Sequence, residues 1–191
     1  MGKRWWRKRW RMGRRVLRRW RQFWRGRRGK QLVTRWMILG WEVGEMKAKE
    51  FVEALDEKAI AEAIADAEKR TSGEIRVFVN EGLVADPVKE AEKQFVILGM
   101  TATKRRNGVL IYFAPKSQKY AVLGDTAVHA RCGQNFWQHI TEKMTPLLKA
   151  GKFTEAILLA VREVGAVLAR EFPWEPGDRD ELPNRIARGE V

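Results

Sequence analysis

Cysteine is almost absent from this chain of 191 residues, because Cys132 is the only one. A single cysteine cannot form an internal disulfide, and this excludes the small secreted domains that depend on several disulfides. Long apolar runs are also missing: the run Trp36–Trp41 is far shorter than the ~20 residues that a membrane-spanning helix needs. Arg35 and Glu42 flank this run, so it does not make a secretory signal either. We therefore expect a cytoplasmic protein without a transmembrane segment.

The excess of positive charge is confined to the first quarter of the chain. Residues 1–45 contain 16 Lys and Arg against only Glu42 and Glu45, whereas the remainder contains 22 residues of each sign. Seven of the nine tryptophans lie in the same segment. These compositions predict a basic Arg/Trp-rich extension over residues 1–45, a core domain over 46–175 and a loose tail over 176–191.

The basic extension carries apolar side chains at helical spacing between Trp5 and Trp24, opposite a dense arginine face. Such a helix would suit an anionic membrane surface, or the phosphates and unpaired bases of a nucleic acid. We favour a mis-assigned start before Met46 or a disordered basic arm, because Arg, Trp and Gly share GC-rich codons and because blocks of like charge rarely fold. We expect no specific nucleic-acid partner for the core domain.

The core domain alternates helix and strand patterns. Asp56 and Asp86 are the N-caps of two predicted helices, which end near Arg70 and Gly99. Between and after them we predict three strands: Ile75–Val79, Val109–Ala114 and Lys119–Leu123. The first two are apolar enough to be buried on both faces and parallel to each other, and the third returns antiparallel after a turn. This order predicts an α/β fold with a mixed sheet.

Two more helices are predicted in the second half of the core domain. The first carries apolar positions from Phe136 to Leu148 and ends at Gly151, and Pro146 must shorten or kink it. The second runs from Phe153 to Phe172. The residues that follow are rich in proline, glycine and acids, which is typical of a loose segment.

Polar residues flank the predicted strands at one edge of the sheet. Parallel strands joined by a right-handed crossover start at the same edge, and the antiparallel strand ends there. Three loops therefore bring together Glu74, Arg105, Arg106, Asn107, Asp125 and Thr126. Carboxylate and amide oxygens bind Ca²⁺ or Mg²⁺, arginine binds phosphate, and the helix start after Asp125 offers N–H groups to an anion. In the open alternative, Arg106 and Asp125 form an ordinary exposed ion pair, Asp125 caps a helix and Asn107 only turns the chain.

Other groups carry weaker signals. His129 and Cys132 can share a helical face, but this pair lacks the further ligands of a zinc site. Cys132 beside His129 or His139 shows no sign of an activated thiol, so we interpret it as a small apolar residue. Three late acids are assigned to a solvated tail, with metal binding as the alternative: Asp178, Asp180 and Glu181. Glycine-rich nucleotide-binding motifs are absent from the sequence.

The core domain contains, in order, the segments Thr71–Val77, Phe95–Met100 with Thr103, Arg106–Tyr112 and Val122–Asp125, followed by Gly133–Trp137, Phe153–Ile157 and Glu181–Pro183. The first four resemble the TPM domain family, and the last three resemble its stand-alone bacterial branch. The resemblance extends from Phe51 to Arg188. The chain departs from the branch after Asp125, where Thr126 and Ala127 stand in place of an acid and a glycine. A possible metal ligand is lost with that acid.

The resemblance implies an αβα sandwich with a Rossmann-like mixed sheet flanked by helices. Family members have been described as acid phosphatases and as divalent-ion binders, and the roles of plant and animal relatives in photosystem repair and receptor function are not transferred. Matched by position, the implied metal ligands are Asp125, Asn107 and Glu74, for Ca²⁺ or Mg²⁺, and the implied catalytic residues are Asp125 and Arg106. We expect metal-assisted phosphomonoester hydrolysis, or alternatively a non-catalytic module that binds an ion or a protein. Substrate, partner and oligomeric state are not predicted.

Overall fold

The computed structural model describes residues 39–40 and 48–189 of the chain. Apart from residues 39–40, the predictions for the basic extension and for the start at Met46 lie outside the described residues. The helices, in chain order, are α1 Ala48–Glu53, α2 Glu57–Glu68, α3 Pro87–Ile97, α4 Thr126–Lys149 and α5 Phe153–Glu171. The strands are β1 Leu39–Gly40, β2 Ile75–Asn80, β3 Val109–Ala114, β4 Lys119–Gly124 and β5 Ala187–Gly189.

The strands form one mixed sheet in the order β1-β4-β3-β2-β5. β2 and β3 are parallel, with Ile75 opposite Val109, and β4 returns antiparallel to β3. All residues of β2 and β3 are buried, because both faces of these central strands are covered by helices. The predicted pairing of the three central strands is therefore confirmed.

Helices cover both faces of the sheet. The side chains of α1, α2, α4 and α5 pack with alternate strand residues such as Val77 and Ile111 into the larger core. The apolar face of α3 packs with the opposite set, including Phe78 and Tyr112, into the smaller core. The predicted αβα sandwich is confirmed, and its layers leave the strand ends and the loops beside them as the places for polar groups.

The predicted N-caps of the first two long helices are present. The Asp56 side chain accepts a hydrogen bond from Ala59 N at 2.9 Å, and Asp86 accepts from Val88 N at 3.2 Å and Lys89 N at 3.3 Å. These carboxylates satisfy N–H groups that the first helical turn leaves without partners. The sequence alone was sufficient here because caps are local interactions.

Helix α4 differs from the prediction for Pro146. It continues to Lys149, and its interruption lies instead at Gly133, where φ is 68°. Positive φ suits glycine, which has no Cβ to clash. Beyond Pro146 the last turn is closed by Lys152 N, which donates to Leu147 O at 2.9 Å. Pro146 has no N–H to donate to the preceding turn, but the turn that follows keeps its hydrogen bonds, including Ala150 N to Pro146 O at 3.1 Å, and the helix continues to Lys149.

The segment predicted to be a loose tail contributes a strand. β5 pairs in parallel with β2, with Phe78 opposite Ala187, and Ile186 packs into the larger core. The acids and prolines of this segment did not predict a strand, because β5 forms by hydrogen bonding to the free edge of β2 and not from its local composition. Because β5 lies beside β2 in this way, the residues that precede β5 pass close to the start of β2.

Within residues 39–40 and 48–189, no helix is both long and apolar enough to cross a membrane.

Candidate functional site

Asp125 and Arg106 form a two-pronged ion pair at the edge where β3 starts and β4 ends. Arg106 Nε donates to Asp125 Oδ2 at 2.7 Å, and Nη2 donates to Oδ1 at 2.9 Å. Asp125 is completely buried, caps α4, and also accepts from Thr126 N at 2.6 Å. The hydrogen bond to Asp125 raises the pKa of Arg106. Both carboxylate oxygens of Asp125 are thus engaged by donors of the chain itself.

Asn107 lies beside this pair and holds the loop that precedes β2. Its Nδ2 donates to Ser72 O at 3.0 Å and to Ser72 Oγ at 3.2 Å, and the residue is buried. Arg105 reaches the same hydroxyl at 3.4 Å and forms an ion pair with Glu175. Arg105, Arg106, Asn107, Asp125 and Thr126 therefore meet at one edge, as predicted, in contacts among themselves or with this loop.

The side chain of Glu74 belongs to a different group of residues. Carboxylate oxygens of Glu68, Glu74 and Asp180 all lie within 4.8 Å of one another, and we call this group the carboxylate cluster. Glu74 is only 3% exposed, and its Oε1 accepts from Glu181 N at 3.0 Å. Of the four predicted site residues, Glu74 is thus the one that faces the C-terminal segment and not the Asp125 edge.

Each member of the carboxylate cluster comes from a different part of the fold. Glu68 is the last residue of α2, and its Oε1 accepts from Ile75 N at 2.7 Å. Glu74 immediately precedes β2, and Asp180 lies in the segment that leads to β5. The second oxygens, Glu68 Oε2 and Glu74 Oε2, are buried and have no hydrogen-bond partner in the described part of the chain. Two acceptor atoms are therefore left available at the same place.

Burial and mutual repulsion dominate the electrostatics of the cluster. Burial, with a smaller contribution from neighbouring carboxylates, raises the pKa of Glu68 to about 8 and that of Glu74 to about 7. Arg76 lies close enough to interact with all three acids, and its own burial lowers its pKa. When all three acids are ionised they outnumber this guanidinium, and a bound cation would offset the excess of negative charge.

A cavity of about 250 Å³ opens at the cluster. Besides Glu68, Glu74 and Asp180, its lining includes Lys69, Thr71, Trp174, Asp178, Arg179 and Asn184. Asn184 Oδ1 is a further buried acceptor for which the described residues provide no donor. The cavity thus combines oxygen ligands at its base with two cationic side chains and an aromatic ring.

The remaining predicted groups take other places. Burial raises the pKa of the Cys132 thiol to about 11, which opposes the thiolate form that a nucleophile needs. Glu181 accepts from Lys104 N at 3.3 Å through its side chain, and Asp178 accepts from Glu175 N at 2.8 Å. Among the three late acids, Asp180 is the one whose carboxylate joins Glu68 and Glu74.

Sequence reasoning missed Glu68 and the part played by Asp180. One signal was present: an acid at the C-terminal end of a helix faces the negative end of the helix dipole and is locally unfavourable. Glu68 occupies that position at the end of α2, six residues before Glu74. Nothing comparable marked Asp180, because its approach depends on the pairing of β5 with β2.

Similarity to known proteins identifies the family of this chain. The model of the TPM domain family matches residues 47–167. The NMR structure of BA42 from the psychrophilic bacterium Bizionia argentinensis is similar, with 36% sequence identity, a TM-score of 0.65, and coverage of 78% of this chain and 99% of that one. No curated protein matches. The match over more than half of the sequence and the shared αβα fold show that the chain belongs to the TPM domain family.

Proposed function

We propose that this TPM domain is a divalent-cation-dependent phosphomonoesterase whose carboxylate cluster holds the cation. The observation that carries the proposal is the pair of buried oxygens, Glu68 Oε2 and Glu74 Oε2, that lack donors among the described residues, in two carboxylates that each have an oxygen within 4.8 Å of the other and of Asp180. A buried acceptor without a donor is costly, and two such oxygens beside a third carboxylate favour the binding of a cation.

The donor set fits Ca²⁺ or Mg²⁺. Both are hard cations that take oxygen ligands, Ca²⁺ at roughly 2.3–2.6 Å, so two ligands on opposite sides of one ion are about 4.8 Å apart. The oxygens of Glu68, Glu74 and Asp180 fall within that span. A divalent ion would also offset the excess of these carboxylates over Arg76 when all three are ionised.

The phosphatase part of the proposal is supported by the family model, whose name includes phosphatase. A divalent ion, when bound, would polarise a phosphoryl oxygen and favour attack by water. Lys69 and Arg179 line the same cavity and would offer positive charge to the remaining phosphate oxygens. In the reaction the water oxygen bonds to phosphorus, the ester P–O bond breaks, and the proton from water ends on the released alcohol.

The ligand set predicted from the sequence remains an alternative location. It shares Glu74 with the cluster but uses Asn107 and Asp125 in place of Glu68 and Asp180. The engaged oxygens of Asp125 support the cluster instead, because a cation there would have to displace Arg106. Asp180→Asn and Asp125→Asn therefore separate the two locations.

The test is calorimetric titration of the full chain with CaCl₂ and MgCl₂. We expect saturable binding that Glu74→Gln and Asp180→Asn each weaken by about tenfold or more, since even residues that only support a metal ligand contribute on that scale. Glu62→Gln, which removes an exposed acid on α2, is the matched control and should bind like the unaltered chain. If only Asp125→Asn abolished binding, the cation would lie at Asp125 and not at the carboxylate cluster.

Hydrolysis is tested separately with 4-nitrophenyl phosphate, with and without a chelator. We expect turnover that requires the cation and falls in Asp180→Asn. The second candidate, an ion-binding module without catalysis, is favoured by the way the cluster joins α2, β2 and the C-terminal segment, as a structural cation site does. Saturable cation binding without chelator-sensitive hydrolysis would select that candidate.

A further inference from the structure

We infer that Trp174 makes the cavity at the carboxylate cluster selective for phosphate esters of aromatic groups, an inference that rests on the proposed function. Trp174 is 49% exposed, although a large aromatic side chain gains free energy by burial. It lines the same cavity as Glu68, Glu74 and Asp180. Three other large apolar residues of the described part are exposed, but Leu83, Val96 and Ile97 do not line that cavity.

The backbone that leads to Trp174 is fixed. Trp174 N donates to Arg70 O at 3.2 Å, and Pro173 pairs with Thr71 in an isolated antiparallel bridge. Phe172, two residues before Trp174, is buried in the larger core. The indole is thus held at the cavity by ordered backbone and is not an accident of a loose segment. A ring positioned in this way requires little further ordering when a ligand stacks on it.

The chemistry of the cavity suits an ester with two distinct ends. The carboxylate cluster would hold a cation, and the cation together with Lys69 and Arg179 would attract a phosphate group. The indole would then face the organic part of the ester, and indoles stack on flat rings in offset or edge geometry. The volume of about 250 Å³ is below the roughly 300–1,000 Å³ of sites for drug-sized ligands, and so suits one ring with a phosphate.

The test uses phosphonates, which carry the charge of a phosphate ester but cannot be hydrolysed. Phenylphosphonate and methylphosphonate are titrated into the full chain in the presence of Mg²⁺, and their affinities are compared. We expect phenylphosphonate to bind about tenfold more tightly than methylphosphonate. Stacking of one nucleic-acid base on an aromatic side chain increases affinity on that scale. In Trp174→Ala the two affinities should become equal by loss of phenylphosphonate affinity alone, and Trp174→Phe should retain most of the preference.

Methylphosphonate affinity reports whether Trp174→Ala leaves the rest of the cavity intact, and Leu83→Ala is the control for loss of an exposed apolar side chain. A phenyl preference that persists in Trp174→Ala, or the absence of binding by both phosphonates, would overturn the inference. A preference that depends on Trp174, in a protein that hydrolyses no phosphate ester, would support Trp174 and refute the proposed hydrolysis. Hydrolysis of phosphate esters without a phenyl preference would support the proposed hydrolysis and refute the role of Trp174.

Discussion

The ion pair Arg106–Asp125 and the carboxylate cluster each contain a buried carboxylate, Asp125 and Glu74, near the starts of neighbouring strands. They differ in how their oxygens are satisfied. Each oxygen of Asp125 accepts from Arg106, and Oδ1 also accepts from Thr126 N. In the cluster, Glu68 and Glu74 each have one oxygen with a backbone donor and one without any donor among the described residues. This difference is the reason for proposing a structural role for the first group and a ligand-binding role for the second.

The same difference gives the two groups opposite effects on stability. Asp125 pairs with a guanidinium through two hydrogen bonds and caps the start of α4, so it stabilises the folded state. Burial disfavours the ionised forms of Glu68 and Glu74, and their raised pKa values express that cost. A protein tolerates such a cost at a functional site, where a ligand supplies the missing charge.

The largest expected effect is on stability, from Asp125→Ala. Loss of the helix cap and of the partner of Arg106 should lower the free energy of unfolding by about 2–4 kcal/mol. Urea denaturation measures this change, with Asp66→Ala as the control for loss of an exposed acid whose partner is Lys69. If Asp125→Ala unfolded like the control, the structural role given to the ion pair would be wrong.

The next effect is on the cation, from Glu74→Gln. We expect a loss of about tenfold or more in affinity for Ca²⁺ or Mg²⁺. Without cation the same variant should be more stable than the unaltered chain near pH 8, because a neutral amide removes repulsion from Glu68 and Asp180. Calorimetric titration and thermal melting measure the two changes. If Glu74→Gln lost stability but bound the cation normally, Glu74 would have a structural role and not a ligand-binding role.

The third prediction concerns pH. The folded chain raises the pKa of Glu68 to about 8 and that of Glu74 to about 7, above the ordinary value of 4.5, so folding favours the protonated forms. Their contribution to stability is complete below about pH 4.5 and is lost as the pH rises through about 7 and 8. The melting temperature in a chelator should therefore fall over that range, and Mg²⁺ should restore it near pH 8. Glu74→Gln should flatten the profile, and an unchanged profile would count against the buried carboxylates as its cause.

The smallest expected effect is from Arg106→Lys. Lysine keeps the charge but cannot form the two parallel hydrogen bonds, so the free energy of unfolding should fall by about 1 kcal/mol. Cation affinity should stay unchanged, because Arg106 contacts Asp125 and not the cluster. A marked change in cation affinity, measured by the same titration, would connect the two groups.

Much of the fold could be predicted because its signals are local. Asp56 and Asp86 cap the helices that follow them. The β-branched and aromatic content of β2 and the continuous apolar run of β3 predicted that both are buried strands. The αβα arrangement followed from the order of these elements, since helices must bury their apolar faces on a central sheet. The edge with Arg106, Asn107 and Asp125 was also predicted, because parallel strands start at a common edge.

The sequence by itself determined the elements, their central pairing and the residues that meet at the Asp125 edge, because these depend on side-chain periodicity, capping and connection handedness. Only the tertiary structure decided how those charges are satisfied and where unsatisfied oxygens remain. Asp180 is separated from Glu68 by most of the domain, and it reaches Glu68 because β5 takes the free edge of β2. Hydrogen-bond satisfaction between segments so far apart depends on packing, and local sequence patterns do not contain it.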